Sequence, residues 1–252
     1  DRPIVINNWE ATFFDFDDKK LDQIIDEAKP LGIEMFVLDD GWFGHRNDDN
    51  SSLGDWFVNQ DKLTGGLKRV ADRTHEHGMK FGLWFEPEMI SVDSKLYKKH
   101  PDYALHEPNR GMTLSRNQLV LDFSRKEVVD NIYNQMCLIL DKVPLDYIKW
   151  DFNRNLTEVF SSAADAEHQG EVSHRYVLGL YDLMERLVTR YPNILFEGCS
   201  GGGGRFDAGI LYYMPQSWPS DDTDAVERLK IQYGTSLTYP ISSMTAHVSV
   251  SP

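Results

Sequence analysis

Short apolar runs, each stopping in a polar or charged cluster, recur along the chain: PIVINNWE, IEMFVLDDGW, MKFGLWFEPE, LDYIKWDFN, NILFEGCS, PQSWPSDD and SSMTAHVS. Their length and their β-branched and aromatic content predict seven strands. Between most of them the apolar positions shift to a helical spacing. Leu21, Ile24, Ile25, Ala28 and Leu31 fall at i, i+3, i+4, i+7 and i+10, and Gly32 follows as a helix stop. Val129, Ile132, Tyr133, Met136 and Leu140 keep that spacing, as do Val177, Leu180, Tyr181, Met184, Leu187 and Val188. Asp224 reads as the N-cap of a last helix through Val226, Leu229 and Ile231.

Strands alternating with helices predict a parallel sheet wrapped by helices, either a closed (β/α)8 TIM barrel or an open doubly wound sheet. The open sheet usually places a glycine-rich turn after its first strand. Here that strand runs into NNWEATFFDF, and functional residue types end many strands, which favours the α/β barrel. An eighth strand is not visible, and Val248–Pro252 is too short for a crossover and a strand, so the barrel reads as cut before its eighth strand. With no linker or low-complexity tract, residues 1–252 read as a single domain, a size usual for such barrels. Two connections are long. Residues 43–66 carry Trp56, and residues 86–123 predict a hairpin around Asn109–Gly111; both follow strands and so belong on the catalytic face of a barrel.

Charge narrows the partners. Against 26 Lys and Arg stand 40 Asp and Glu, a net −14, which argues against nucleic acid and anionic membrane surfaces. No run reaches the length of a membrane span, and the first residues lack a signal-peptide layout. Two cysteines far apart, Cys137 and Cys199, make no disulfide framework and favour a reducing compartment.

The acids are placed unevenly. Glu10, Asp39, Asp40, Glu86, Glu88, Asp151, Glu197, Asp221 and Asp222 follow strands, and a barrel brings such positions together. Single acids after strands often cap helices, and Asp222 and Asp224 suit that reading; several others precede long loops instead. In YIKWDFNRN, strand alternation puts Lys149, Asp151 and Asn153 on one face, with Tyr147 deeper. No His-x-His pair ends a strand, and His75 and His77 lie on a predicted outer helix where i and i+2 diverge, so no metal is expected. Trp9, Trp42, Trp56, Trp84, Trp150 and Trp218 accompany the acids. Carboxylates among indoles suit a sugar, and a carboxylate pair suits glycoside hydrolysis. Pattern alone does not choose the pair.

With LDDGW, GLWFEPE, KWDFNR, CSGGGGRFD and SDDTDA in this order, the chain resembles glycoside hydrolase family 36, and within it the bacterial α-galactosidases, or melibiases. The resemblance implies a retaining exo-α-galactosidase without cofactor, releasing terminal α-1,6-linked galactose from melibiose and raffinose-type oligosaccharides in a bacterial cytoplasm. It implies Asp151 as nucleophile and Asp221 as acid/base, Asp222 being the less favoured neighbour. For the sugar it implies Asp39 and Asp40 on the 4- and 6-hydroxyls, Trp84 as a wall, and Lys149 and Arg116 as donors. It also implies Cys199 on the C2 side and Asn153 and Trp56 in the set, and the glycine run Gly201–Gly204, without the lysine of a phosphate loop, reads as backbone that approaches the sugar closely. Family members carry β-rich domains on both sides of the barrel, absent here, and are often homotetramers. A galactosyl transferase of the raffinose-synthase type, an α-N-acetylgalactosaminidase and a non-catalytic sugar-binding fragment are the other readings.

Overall fold

The computed structural model describes residues 2–249. Six strands form one parallel, curled sheet in the order β1 (Val5–Asn7), β2 (Met35–Leu38), β3 (Lys80–Phe85), β6 (Tyr147–Trp150), β7 (Leu195–Gly198) and β8 (Gln216–Ser217). The two strands between, β4 (Met89–Ile90) and β5 (Leu119–Val120), pair antiparallel with each other outside that sheet. Helices α1 (Trp9–Thr12), α2 (Asp18–Ala28), α3 (Gly66–Glu76), α4 (Lys95–Lys99), α5 (Lys126–Leu140), α6 (Val172–Arg190), α7 (Ala208–Tyr213) and α8 (Ala225–Ser236) fill the connections. The arrangement is a half-barrel. Among the described residues, no helix is long and apolar enough to cross a membrane.

The run expected as a seventh strand is not one among the described residues. Ile241–Ser243 forms a 3-10 turn, and Met244 makes a single parallel bridge to Ser217. Residues 250–252, which follow that run, lie outside the described residues. The segment nonetheless reaches both sheet edges: Thr245 N–H donates to the Ser217 carbonyl (3.0 Å), and Arg2 Nη1 donates to the Met244 carbonyl (2.8 Å).

Alternation within the strands separates two cores. Phe36, Leu38, Phe81, Leu83, Phe85, Ile148, Trp150 and Phe196 face outward and join the large cluster under the helices. Met35, Val37 and Tyr147 form a second, small cluster with Leu195 against it. Register aligns Val37, Gly82, Tyr147 and Leu195 across four strands. A Cβ on Gly82 would lie 2.6 Å from the Tyr147 ring, so the glycine leaves the room that ring fills. One step further along the same strands stand Trp84, Lys149, Glu197 and Gln216. The inner face thus changes from apolar to polar toward the carboxyl ends of the strands.

Local predictions hold with adjustments. Asp224 caps α8, accepting from Val226 and Glu227 N–H (both 2.9 Å). The first helix ends at Ala28 and tightens into a 3-10 turn at Pro30, so Leu31 rotates off the buried face and is exposed. The hairpin expected around Asn109–Gly111 instead turns at Arg116 and Asn117, between Ser115 and Gln118. Both turn residues have positive φ (51° and 58°), as a two-residue hairpin turn of the I′ kind demands. His75 and His77 face separate carboxylates, Asp146 and Asp26, each at 2.9 Å.

Candidate active site

Asp39 and Asp40 end β2 and are both buried. Asp39 Oδ2 accepts from Asn7 Nδ2 (2.5 Å) and Lys149 Nζ (3.0 Å), while its Oδ1 takes the Asp40 N–H (2.9 Å). Asp40 receives both arms of the buried Arg46 fork, Nε at 2.8 Å and Nη2 at 2.7 Å. Burial raises the Asp40 pKa against the pull of Arg46. Burial works against the charge on Lys149, but neighbouring Asp39, Cys199 and Asp151 hold its pKa above the ordinary value. Its ammonium also lies 5.1 Å from the centroid of the Trp218 ring.

Asp151 lies just past β6, and both of its carboxyl oxygens are held. Its Oδ2 accepts from Trp84 Nε1 (3.2 Å), and its Oδ1 from Phe152 N–H (2.8 Å) and Gly201 N–H (3.4 Å). The Trp84 indole stacks on Phe43 at 13° between planes and also packs near Trp56. Cys199 is buried, and burial together with the Asp151 charge pushes its thiol up. The Asn153 amide oxygen approaches Gly201, lying 3.9 Å from where a Cβ would stand.

Asp221 comes to the same place from β8. It is exposed, and Trp218 Nε1 donates to its Oδ1 (2.8 Å). The glycines after β7 explain the approach. A Cβ on Gly202, whose φ is +89°, would lie 2.9 Å from the Asp221 nitrogen, and one on Gly203 would overlap the Pro219 carbonyl. Gly201 therefore touches Asp151 while its neighbour touches Asp221. The run expected to approach a sugar packs, at Gly202 and Gly203, against protein backbone.

Other positions stand differently. Arg116 is exposed at its turn. Trp56 is buried among Trp42, Phe43, Trp84 and Phe85, and its indole N–H has no partner among the described residues. Asp222 accepts the Asp224 N–H (2.9 Å), bracing the entry to α8. Glu88 is fully buried and structural: it takes the Arg205 fork at 2.9 and 2.8 Å, Trp150 Nε1 at 2.9 Å and the Tyr176 hydroxyl.

Glu86 was only one strand-end acid among many in the sequence, and the structure gives it a definite place. Its Oε1 accepts from Asn153 N–H (2.6 Å) and Gln118 Nε2 (2.9 Å), joining the Asp151 loop to the Arg116 turn. Burial and the nearby Asp151 charge push its pKa up to about 8. Its position two residues beyond Trp84, on the same face, was the available signal.

A family model described as Melibiase matches residues 1–252. The chain is 66% identical over 251 residues to the α-galactosidase Mel36A of Lactobacillus acidophilus, covering 100% of this chain and 34% of that protein. It is 60% identical over 252 residues to the α-galactosidase AgaA of Geobacillus stearothermophilus, covering 100% of this chain and 35% of AgaA. The crystal structure of AgaA superposes with a TM-score of 0.98 at 60% identity, over 100% of this chain and 35% of that one. An AgaA variant in complex with raffinose superposes at 0.97 and 59% identity, over 99% and 35% of the two chains. The chain spans about a third of the length of these relatives. Five sequence motifs, the half-barrel and the family match agree: the chain belongs to the melibiase family.

Proposed function

We propose that residues 1–252 form the catalytic barrel portion of a retaining, exo-acting α-galactosidase that releases terminal α-1,6-linked galactose from melibiose and raffinose-family oligosaccharides. One observation carries the reading: Asp151, by its carboxyl, and Asp221, by its backbone nitrogen, come from different strand ends to the adjacent glycines Gly201 and Gly202, and both carboxyl charges act on the buried Cys199 thiol. Double displacement needs two such carboxyl groups on either side of the scissile bond. Asp151 attacks the anomeric carbon, and the indole and two peptide N–H groups on its oxygens fix the direction of attack. Asp221, on the exposed rim, gives its proton to the departing oxygen and then takes one from water.

Asp39 and Asp40 accept from the 4- and 6-hydroxyls, and Lys149 donates from between Asp39 and the Trp218 ring. Arg116 adds a donor from its turn. Trp84, Cys199, Asn153 and Gly201 line the galactose, and Trp56 backs Trp84 from the core. The relatives support the substrate class. AgaA has been solved with raffinose and with stachyose in variants that each have an aspartate replaced, and those two aspartates stand 70 positions apart. Asp151 and Asp221 have the same separation (221 − 151). Two distant, reduced cysteines suit a cytoplasmic enzyme.

The test is turnover of nitrophenyl α-galactoside, α-glucoside and α-N-acetylgalactosaminide by this chain and by the longest polypeptide that carries it. Galactoside turnover that falls at least 1,000-fold in Asp151→Ala is the expected result. Undiminished turnover in that variant removes Asp151 from the mechanism, and preference for the acetamido sugar overturns the substrate assignment.

A further inference from the structure

Asp221 is exposed, yet the backbone that carries it is gripped from two sides. Gly202 and Gly203 seat it on the β7 side. On the other side lies Arg228, from the first turns of α8, only 5% exposed. Its Nη1 donates to the Ser220 carbonyl (2.7 Å) and to the Asp222 carbonyl (3.3 Å), the carbonyls of the two residues that flank Asp221. Its guanidinium lies 6.0 Å from the centroid of the Trp218 ring, and that indole donates to the Asp221 carboxyl.

Burying an arginine is costly unless something answers its charge. Here its hydrogen-bond acceptors are carbonyls, and among the described residues Nε and Nη2 are buried with no partner; the nearby Asp222 and Asp221 charges favour its cation but do not outweigh burial. An apolar side chain of that length would fill the space at lower cost, so the guanidinium is not explained by packing. Both bonds leave the one planar Nη1 amine, whose two hydrogens are fixed in the guanidinium plane, a fixed pair of directions that a freely rotating ammonium does not offer.

We propose that Arg228 is a positioning residue for proton transfer, clamping the carbonyls of the two residues that flank Asp221 and backing the indole that orients its carboxyl. The inference rests on Asp221 acting as acid/base. A misplaced acid harms departure of a poor leaving group most, because a good one leaves with little protonation. A merely structural role would reduce all substrates alike.

The experiment compares kcat/KM on melibiose and on dinitrophenyl α-galactoside for wild type, Asp221→Ala, Arg228→Met and Arg228→Lys, in the longest polypeptide that carries this chain. Arg228→Met is expected to lose at least tenfold more on melibiose than on the activated substrate, and Arg228→Lys to show the same bias more weakly. Should the methionine variant not fold, the lysine variant decides on the same ratio. Equal losses on both substrates in the Arg228 variants, with a selective loss in Asp221→Ala, overturn the inference. Equal losses in Asp221→Ala itself overturn the acid/base assignment instead, and the inference falls with it.

Discussion

Among the described residues, the donors to the Glu86 carboxyl are a peptide N–H and a side-chain amide rather than a cation. Burial first, and Asp151 second, favour its neutral form, so at pH 7 it keeps its proton in the folded chain. Unfolded, the same group titrates near 4.5. Between about 4.5 and about 8 the native state therefore binds a proton that the unfolded state releases, and stability falls as pH rises through that window. Glu86→Gln keeps the carbonyl oxygen that accepts both hydrogen bonds and removes the titration. The wild type should lose more thermal stability between pH 5 and pH 8 than this variant; parallel Tm profiles would contradict the assignment. In the sequence, Asp151 stood out through strand alternation and its motif, and Asp39 and Asp40 through their place at a strand end and the motif LDDGW. Glu86 shared the alternation but not a partner that sequence distance makes visible, since Gln118 lies 32 residues away.

At the scale of elements, loops did what periodicity could not foresee. Helices α2, α5, α6 and α8 form where they were predicted, and the Asp224 cap is where SDDTDA puts it, but Val226 and Leu229 of α8 are exposed. The glycine run carried no periodic signal, because its constraint is the backbone of a segment 16 to 19 residues later, Pro219–Asp221. Gly203→Ala would drive a Cβ into the Pro219 carbonyl, which is backbone and cannot swing aside. That substitution should cost about 1–3 kcal/mol and displace Asp221, lowering kcat on natural galactosides well over tenfold. Gly111→Ala, with nothing within 4 Å of the new Cβ, is the control and should change neither stability nor rate. Urea unfolding with parallel kinetics decides; a silent Gly203→Ala would mean that the seat is not tight. The hairpin was displaced from Asn109–Gly111 for a related reason. Gly111 signals a turn, but Arg116 and Asn117 adopt positive φ because Ser115 and Gln118 pair and Glu86 holds Gln118.

Across the whole molecule, one alternation sets both architecture and chemistry. The outward positions of the parallel strands are apolar and pack under helices; the inward ones begin as Val37, Tyr147 and Leu195 and end as Asp39, Lys149, Asp151 and Cys199. A curled parallel sheet converts that gradient into a polar mouth at the carboxyl ends of its strands. The six strands of the parallel sheet were legible in the sequence, down to the two-residue β8, whereas the short antiparallel β4 and β5 were not. SSMTAHVS carries the same composition but meets β8 by one bridge, so pairing partners rather than propensity decide its state. Three parts of the chain distant in sequence, after β2, β6 and β8, thus supply the acids to which one reaction is assigned.

That assignment is tested most directly by removing each acid and supplying azide in its place. If Asp151 is the nucleophile, Asp151→Ala should be slow on dinitrophenyl α-galactoside and recover with azide, giving β-galactosyl azide by a single inversion. Asp221→Ala should instead give the α-azide, because azide then attacks the intermediate formed on Asp151. The configuration of the two products, read by proton NMR, carries the answer. A β-azide from Asp151→Ala with an α-azide from Asp221→Ala is the predicted outcome; the reverse pattern would exchange the two roles and contradict the account.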